Sequence, residues 1–143
     1  MSELSQTRSE LHSLAADGRF AVLLVDDVAE LRLLLRLSLE SSDRFAVVAE
    51  AGDGAEGVAL AGRYQPDLVL LDISMPVQNG LESLPLIREA SPRSRIVVLS
   101  AFEEWRLGAE ALALGAHAYL EKGQPPERLV ARLLDLMDDD ATP

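Results

Sequence analysis

The stretch A21-V-L-L-V-D-D-V-A-E30 runs five apolar residues directly into two adjacent aspartates, Asp26 and Asp27. An apolar run of this length is typical of a buried strand. Two carboxylates held together at the end of a strand repel, and each raises the pKa of the other unless a positive group lies nearby. Asp27 alone would fit an ordinary helix N-cap. The pair instead suggests a cation site, for which the rest of the sequence must supply the other ligands.

Composition restricts the classes of function. With 143 residues, 48% of them hydrophobic, the chain is expected to form one domain with a real core. The absence of cysteine excludes disulfides, thiolate metal sites and cysteine nucleophiles. A formal net charge of −11 disfavours direct binding to nucleic acid. The N-terminus does not resemble a secretory signal and no apolar run could span a membrane, so we expect a cytoplasmic protein with no membrane partner.

The hydrophobic pattern alternates between strands and helices. Apolar runs rich in Val and Leu predict strands, and runs with helical spacing predict the helices between them. The strands are predicted at 19–25, 44–51, 66–72, 93–101 and 116–122, and the helices at 28–42, 53–65, 80–90, 103–115 and 125–137. Strands that are apolar on both faces belong in a parallel sheet covered by helices on both sides, which predicts a doubly wound α/β fold.

The chain divides into three parts on the same grounds. Residues 1–18 are predicted to be a flexible N-terminal extension, 19–138 the folded domain and 139–143 an acidic C-terminal tail. In the first helix, we expect Leu31, Leu34, Leu35 and Leu39 to form the buried stripe. Leu33 and Leu37 then lie on the outer side.

Polar residues follow four of the five predicted strands. The first strand ends in Asp26 and Asp27, the third in Asp72, the fourth in Ser100 and the fifth in Lys122, the only lysine of the chain. Glu50 ends the second strand with no evident partner in this set. Ligands of open α/β sheets bind outside the carboxyl ends of the strands, where these side chains are expected to meet. Each residue alone is unremarkable, but together they fit Mg²⁺ and an aspartate that accepts a phosphoryl group.

Four segments resemble a known family, the receiver domains of two-component response regulators of the stand-alone type. They are LLVDD at 23–27, PDLVLLDISMPVQNGLE at 66–82, IVVLSA at 96–101 and GAHAYLEKG at 115–123, in the family's order and spacing. The resemblance covers roughly residues 19–137. It implies a flavodoxin-like (βα)5 fold with strand order 2-1-3-4-5, an order for which the family is a known example.

The resemblance also implies roles for individual residues. Asp72 is similar to the phosphorylated aspartate, and Lys122 to the lysine that pairs with the phosphoryl group. Ser100 and Tyr119 are similar to the hydroxyl and the aromatic ring that move on activation. The Mg²⁺ ligands implied are Asp27 and Asp72 directly, Asp26 mainly through water, and the backbone carbonyl of Ser74. Phe102 falls where a side chain governs access of water to the phosphoryl group.

The partners implied are a histidine kinase or phosphotransfer protein as phosphodonor and a downstream protein. The downstream partner is expected on the face made by the fourth helix, fifth strand and fifth helix, with Trp105 as a candidate anchor and a phosphorylation-dependent homodimer as a further interpretation. We expect Leu33 and Leu37 to contact the phosphodonor. Chemistry is expected to be limited to the protein's own phosphorylation and dephosphorylation, so the chain is not an enzyme acting on other substrates.

Several alternatives were weighed. The segment GDGAEG at 52–57 matches a dinucleotide-binding motif, but it follows the second strand, and Asp53 is better interpreted as a helix N-cap. An aspartate-dependent phosphatase needs a second acid two residues after Asp72, where Ser74 stands. Lys122-Gly123 replaces the family's frequent Lys-Pro, so no cis bond is expected there. The variant is common in DNA-binding regulators, so the receiver part of a transcription factor stays open, as does a receiver that binds partners without phosphorylation.

Overall fold

The computed structural model describes residues 18–73, 80–100 and 105–138. Within these residues five strands alternate with five helices. The strands are β1 Phe20–Val25, β2 Phe45–Ala51, β3 Leu68–Asp72, β4 Arg95–Ser100 and β5 Ala118–Glu121. The helices are α1 Ala29–Ser41, α2 Gly54–Tyr64, α3 Gly80–Ala90, α4 Trp105–Ala113 and α5 Pro126–Asp138. Ser74, Phe102, the Trp105 side chain, the tail and almost all of the predicted extension lie outside the described residues, so the proposed domain boundaries stay a prediction.

The strands form one parallel sheet in the order β2-β1-β3-β4-β5. This confirms the flavodoxin-like, doubly wound fold. The register aligns Asp72 with Leu99 and Ser100 with Glu121, so β3, β4 and β5 end close together. A parallel sheet brings all the carboxyl ends to one edge, and the residues that follow the strands meet there.

Helices cover both faces of the sheet. Alternate strand residues such as Val22 and Leu24 pack with α1 and α5 in one core, while Leu23 and Val25 pack with α2, α3 and α4 in the other. Because the three central strands β1, β3 and β4 are buried on both faces, their sequences are continuous apolar runs instead of strict alternation. In the part of the chain that the structure describes, no helix combines the length and the apolar character needed to cross a membrane.

The rotation of α1 about its axis differs from the expected one. Leu35 and Leu39 are buried, and Leu33 and Leu37 are exposed as predicted, but Leu34 is 49% exposed. The prediction that Leu34 belongs to the buried stripe is therefore wrong. Leu35 and Leu39 face the core, and Arg32 and Arg36 pair with Glu50 of β2. Leu34 lies on the side of the helix away from these contacts.

The turn at 52–57 is structural. Asp53 is the N-cap of α2, and its Oδ1 accepts a hydrogen bond from the Glu56 backbone N–H at 2.8 Å, which confirms the capping prediction. A Cβ on Gly57 would lie 3.0 Å from both methyl carbons of Val25, so this glycine lets α2 pack closely on β1. Asp53 and Gly57 of the motif are thus explained by helix capping and packing.

Candidate functional site at the carboxyl edge of the sheet

Three carboxylates meet at the carboxyl edge of the sheet. One oxygen each from Asp26, Asp27 and Asp72 can be chosen so that all lie within 4.8 Å of one another. Asp26 and Asp72 are only 2% and 1% exposed, whereas Asp27 is open to solvent. The spatial convergence expected from the strand ends is therefore present.

Lys122 provides the positive charge of the site. Its Nζ lies 2.9 Å from Asp72 Oδ2 and 3.8 Å from Asp26 Oδ2. Its backbone N–H donates to the Ser100 carbonyl at 2.9 Å, which extends the β4–β5 pairing up to the lysine. Burial lowers the pKa of Lys122, but the hydrogen bond from its ammonium to Asp72 and the nearby charges of the three aspartates outweigh it, so the pKa is raised. The Lys122–Gly123 peptide bond is trans, as expected.

Asp26 is held firmly yet keeps one oxygen unsatisfied. Its Oδ1 accepts from the Val28 N–H at 2.9 Å, and its own N–H donates to the Ala51 carbonyl at 3.0 Å. Its Oδ2 is buried without a hydrogen-bond partner. Burial raises the pKa of Asp26, the Val28 hydrogen bond opposes the rise, and the Asp72 charge adds to it. A buried carboxylate oxygen that makes no hydrogen bond, with Lys122 Nζ still 3.8 Å away, is able to act as a ligand for a cation.

Asp27 does not take the simpler role of helix cap. The N-cap of α1 is Val28, whose side chain makes no capping hydrogen bond. Asp27 therefore stays available at the pocket. Carboxylate oxygens suit Mg²⁺, which takes hard oxygen ligands and keeps several waters, and the open side at Asp27 gives those waters room. The donor set of Asp26, Asp27 and Asp72 fits such an ion.

Ser100 and Tyr119, the predicted switch residues, lie in the neighbouring strands β4 and β5. Ser100 is buried at the end of β4, one residue beyond the register partner of Asp72. Tyr119 is half-buried in β5, and a Cβ on Gly108 of α4 would fall 2.5 Å from its ring. The ring therefore packs directly against the α4 backbone. Ser74, the predicted carbonyl ligand, lies outside the described residues, so its role stays a prediction.

Sequence analysis missed two residues that support the site. Arg32 of α1 donates a hydrogen bond to the Asp26 carbonyl and forms a 3.1 Å ion pair with Glu50. Arg36, one turn later, lies 2.6 Å from the same carboxylate. The spacing of the two arginines, four apart on one helix, was the available signal. Their partner on β2 became evident only from the fold.

These features define a class: a doubly wound α/β domain with an acidic, lysine-containing site at the carboxyl ends of its strands. Comparison with known proteins then identifies the family. The family described as "Response regulator receiver domain" matches residues 22–134. The chain therefore belongs to the receiver domains of two-component response regulators, as the sequence motifs predicted.

Individual relatives agree with this assignment. The nitrate/nitrite response regulator NarL of Escherichia coli K12 is 41% identical over 112 residues, which cover 78% of this chain and 52% of NarL. The chemotaxis protein CheY of Thermotoga maritima is 34% identical over 112 residues, covering 78% of this chain and 92% of CheY.

Among solved structures, the chain is similar to a LuxR-family two-component response regulator from Aurantimonas sp. SI85-9A1. That structure has a TM-score of 0.78 and 29% sequence identity, and the match covers 85% of this chain and 86% of that one. The chain spans about half the length of NarL but nearly all of CheY. Its relatives thus include both longer regulators and single-domain ones.

Proposed function

We propose that the domain is a phosphorylation-dependent switch that accepts a phosphoryl group on Asp72, with Mg²⁺ bound by the three aspartates. The observation that carries this proposal is the set of contacts around Asp72: a lysine 2.9 Å from Oδ2 and two further carboxylates within 4.8 Å. A structural ion pair needs one lysine and one acid. Three acids beside one lysine leave an excess of negative charge at the site, which a bound cation would offset.

The chemistry follows from these positions. A carboxylate oxygen of Asp72 attacks phosphorus, the phosphorus–nitrogen bond of a phosphohistidine donor breaks, and its imidazole leaves with a proton. Lys122 neutralises charge on the phosphoryl oxygens, and the proposed role of the Ser100 hydroxyl is to donate a hydrogen bond to one of them. Bound Mg²⁺ would supply the remaining charge neutralisation. Water then hydrolyses the aspartyl phosphate, which restores the Asp72 carboxylate and releases inorganic phosphate.

Phosphorylation can be tested without the natural kinase. Incubation with acetyl phosphate or phosphoramidate and Mg²⁺ should add one phosphoryl group, detected by intact mass. Asp72→Asn should abolish the gain, and removal of Mg²⁺ should suppress it. Asp53→Asn is a matched control, because asparagine also caps a helix and Asp53 lies outside the site. Unchanged labelling of the Asp72→Asn protein would refute the assignment.

The phosphodonor is proposed to be a histidine kinase or phosphotransfer protein that docks on α1. Leu33, Leu34 and Leu37 are 45%, 49% and 58% exposed on the helix that begins beside the acidic pair. A cavity of about 260 Å³ lies between the end of α1 and the start of α5, and it begins one helical turn beyond Leu34. Its lining residues are Ser38, Ser41, Ser42, Pro126, Glu127 and Val130. An apolar helix of the donor would cover these leucines and bring its phosphohistidine to Asp72.

Docking of the phosphodonor can be tested separately from the phosphorylation of Asp72. The Leu33→Arg/Leu37→Arg protein should lose kinase-dependent transfer by about tenfold or more, the effect of removing central apolar contacts. It should still accept phosphate from acetyl phosphate. Leu86→Arg, at an equally exposed leucine of α3, is the control. Failure with acetyl phosphate as well would point to misfolding, and intact kinase transfer would refute the docking site.

The output is proposed to pass through the face formed by α4, β5 and α5, to a downstream protein or a second copy of the chain. Tyr119 lies against α4 at Gly108, so movement of its ring would change the surface of that helix. Leu112 is 42% exposed on α4 and offers an apolar contact there. Gel filtration of the phosphorylated and unphosphorylated protein tests for the homodimer.

A second candidate is the receiver portion of a longer, DNA-binding regulator. The observation that favours it is coverage, since the chain spans only 52% of NarL. Reading the gene beyond the codon for Pro143 decides between the two. A stop codon there favours the stand-alone switch, and a continuing frame that encodes a DNA-binding domain favours the transcription factor.

A further inference from the structure

We propose that Arg32 is a positioning residue for the cation site, acting on Asp26 through its backbone and supported by Glu50. The proposal rests on the function proposed above, because it concerns the same Mg²⁺ ligands. Arg32 carries a positive charge and cannot bind the cation itself. Its proposed role is to orient the carboxylate of Asp26, which can bind the cation.

Three hydrogen bonds hold the backbone and side chain of Asp26 in place. Its N–H is bonded to the Ala51 carbonyl, its Oδ1 accepts from the Val28 N–H, and its carbonyl accepts from the Arg32 guanidinium. Oδ2 is the atom left without a hydrogen bond, and it points toward Lys122 Nζ at 3.8 Å. Three anchors on one residue thus fix the direction of the fourth polar atom.

Arg32 joins three elements of the fold at this point. Its guanidinium donates to the end of β1 and, through Nε at 3.1 Å, to Glu50 near the end of β2, while its backbone belongs to the first turn of α1. The side chain is only 19% exposed, so the ion pair is shielded from water and from salt. A planar guanidinium can bond a carbonyl and a carboxylate at once, which a lysine ammonium does less well.

Charge and geometry make opposite predictions here. A positive Arg32 beside a cation site weakens cation binding by repulsion, so removing it should strengthen Mg²⁺ binding if charge alone mattered. If Arg32 positions Asp26, removing it should weaken Mg²⁺ binding. Glu50 offers a way to separate the effects, because the Arg32→Gln/Glu50→Gln double variant leaves the net charge unchanged while it removes the bond to the Asp26 carbonyl.

Arg36 provides the matched control. It lies on the same helix and pairs with the same Glu50 at 2.6 Å, but it is 41% exposed and has no contact to Asp26 among the described bonds. Arg36→Gln therefore removes an arginine from the cluster without touching the acidic pair.

The test combines Mg²⁺ titration calorimetry of the full chain with amide hydrogen exchange of Val28 in metal-free protein. The double variant should bind Mg²⁺ about tenfold more weakly, the low end for loss of a partner that orients a ligand. Its Val28 amide, which is bonded to Asp26 Oδ1, should exchange faster. Arg36→Gln should bind Mg²⁺ no more weakly than wild type, because it removes only a repelling charge, and its Val28 exchange should be unchanged.

Unchanged Mg²⁺ affinity or unchanged Val28 exchange in the double variant would overturn the inference, because positioning requires both effects. Equal weakening by Arg36→Gln would also overturn it. If wild type itself bound no Mg²⁺, the cation site of the proposed function would fail and the inference would fall with it. If wild type binds Mg²⁺ and the double variant binds it with equal affinity, the inference about Arg32 is refuted while the proposed cation site stands.

Discussion

The two edges of the sheet differ in how completely their polar side chains are hydrogen-bonded. At the amino edge, Asp67 accepts a 2.7 Å bond from the Ala21 N–H, and Ser94 bonds both Ser91 and the Pro66 carbonyl. At the carboxyl edge, Asp26 Oδ2 is buried without a hydrogen bond, close to two more acids and one lysine. The first edge uses polar groups to close the fold. The second leaves one buried carboxylate oxygen without a hydrogen bond, which costs stability and is compatible with a cation-binding role.

The largest effect on stability is expected at Gly80, where α3 approaches the carboxyl edge of the sheet closely. A Cβ at Gly80 would lie 2.6 Å from the Asp72 carbonyl oxygen and 2.9 Å from Ile73 Cα, which are backbone atoms that cannot easily move. Gly80→Ala should lower the free energy of unfolding by about 1–3 kcal/mol, measured by urea titration. Gly62→Ala in α2, where the nearest atom is the Ala90 Cβ at 3.7 Å, should be neutral or stabilising. Equal effects would show that Gly80 is not tightly packed.

The same substitution at one aspartate of each edge should have opposite signs. Asp26→Asn removes a buried charge, so metal-free protein should gain about 1 kcal/mol in unfolding free energy at neutral pH. Asp67→Asn weakens a charge-assisted bond to the Ala21 N–H and should lose up to about 1 kcal/mol. Urea titrations at neutral pH in the presence of a chelator would measure both. Loss of stability in both variants would mean that Asp26 is structural like Asp67.

Ser83 tests whether a buried polar atom without a hydrogen bond is by itself enough to indicate a cation site. Its Oγ is fully buried in α3 and has no hydrogen bond within the described residues. Ser83→Ala should raise the unfolding free energy by up to about 1 kcal/mol, since it removes a polar atom that makes no bond. Mg²⁺ affinity should not change. A change in affinity would place Ser83 in the site after all.

His117 gives the smallest effect, a pH dependence at the amino edge. Its Nδ1 accepts a 3.0 Å bond from the Ile96 N–H, which requires the neutral ring. Burial and the charges of Arg88 and Arg95 lower its pKa below the usual 6.5. The unfolded state therefore binds the proton more readily, so the stability from this group is present above pH 6.5 and lost as pH falls toward the lowered pKa.

His117→Gln should flatten that part of the stability curve between pH 7.5 and 5, measured by chemical denaturation. The raised pKa of Asp26 acts in the other direction, because it favours the folded state at pH values below about 3.8 and loses that effect as pH rises. Using the Asp26→Asn protein as the background separates the two. An unchanged slope in the histidine variant would contradict the assignment.

The fold was predictable because it depends on local patterns. Apolar strands alternating with amphipathic helices specify a parallel sheet, and the order of strand ends specifies where Asp26, Asp72 and Lys122 meet. What the sequence did not reveal depends on contacts between distant residues. The rotation of α1, and hence the exposure of Leu34, goes with its contacts to the core and to Glu50 on another strand, and helical periodicity contains no information about them.

The same limit applies to the site. Its acids and lysine could be predicted from strand ends, whereas the support of Asp26 by Arg32 could not, since an arginine on an amphipathic helix usually lies in solvent. The N-terminus of α1 is a further case: Asp27 is a good capping residue by type, yet the N-cap is Val28 and the helix begins at Ala29.

Because the chain contains a single lysine, this side chain can be labelled selectively. Lys122 is 22% exposed and held by Asp72, so apart from the chain's amino terminus it is the one primary amine that an acylating reagent can reach. Because only the uncharged amine is nucleophilic, its raised pKa should make this lysine slow to acylate. Any event that breaks the bond to Asp72 should change that rate. The labelling rate of one amine could therefore report the state of the pocket without a fluorophore, an engineered cysteine or a radioactive phosphate.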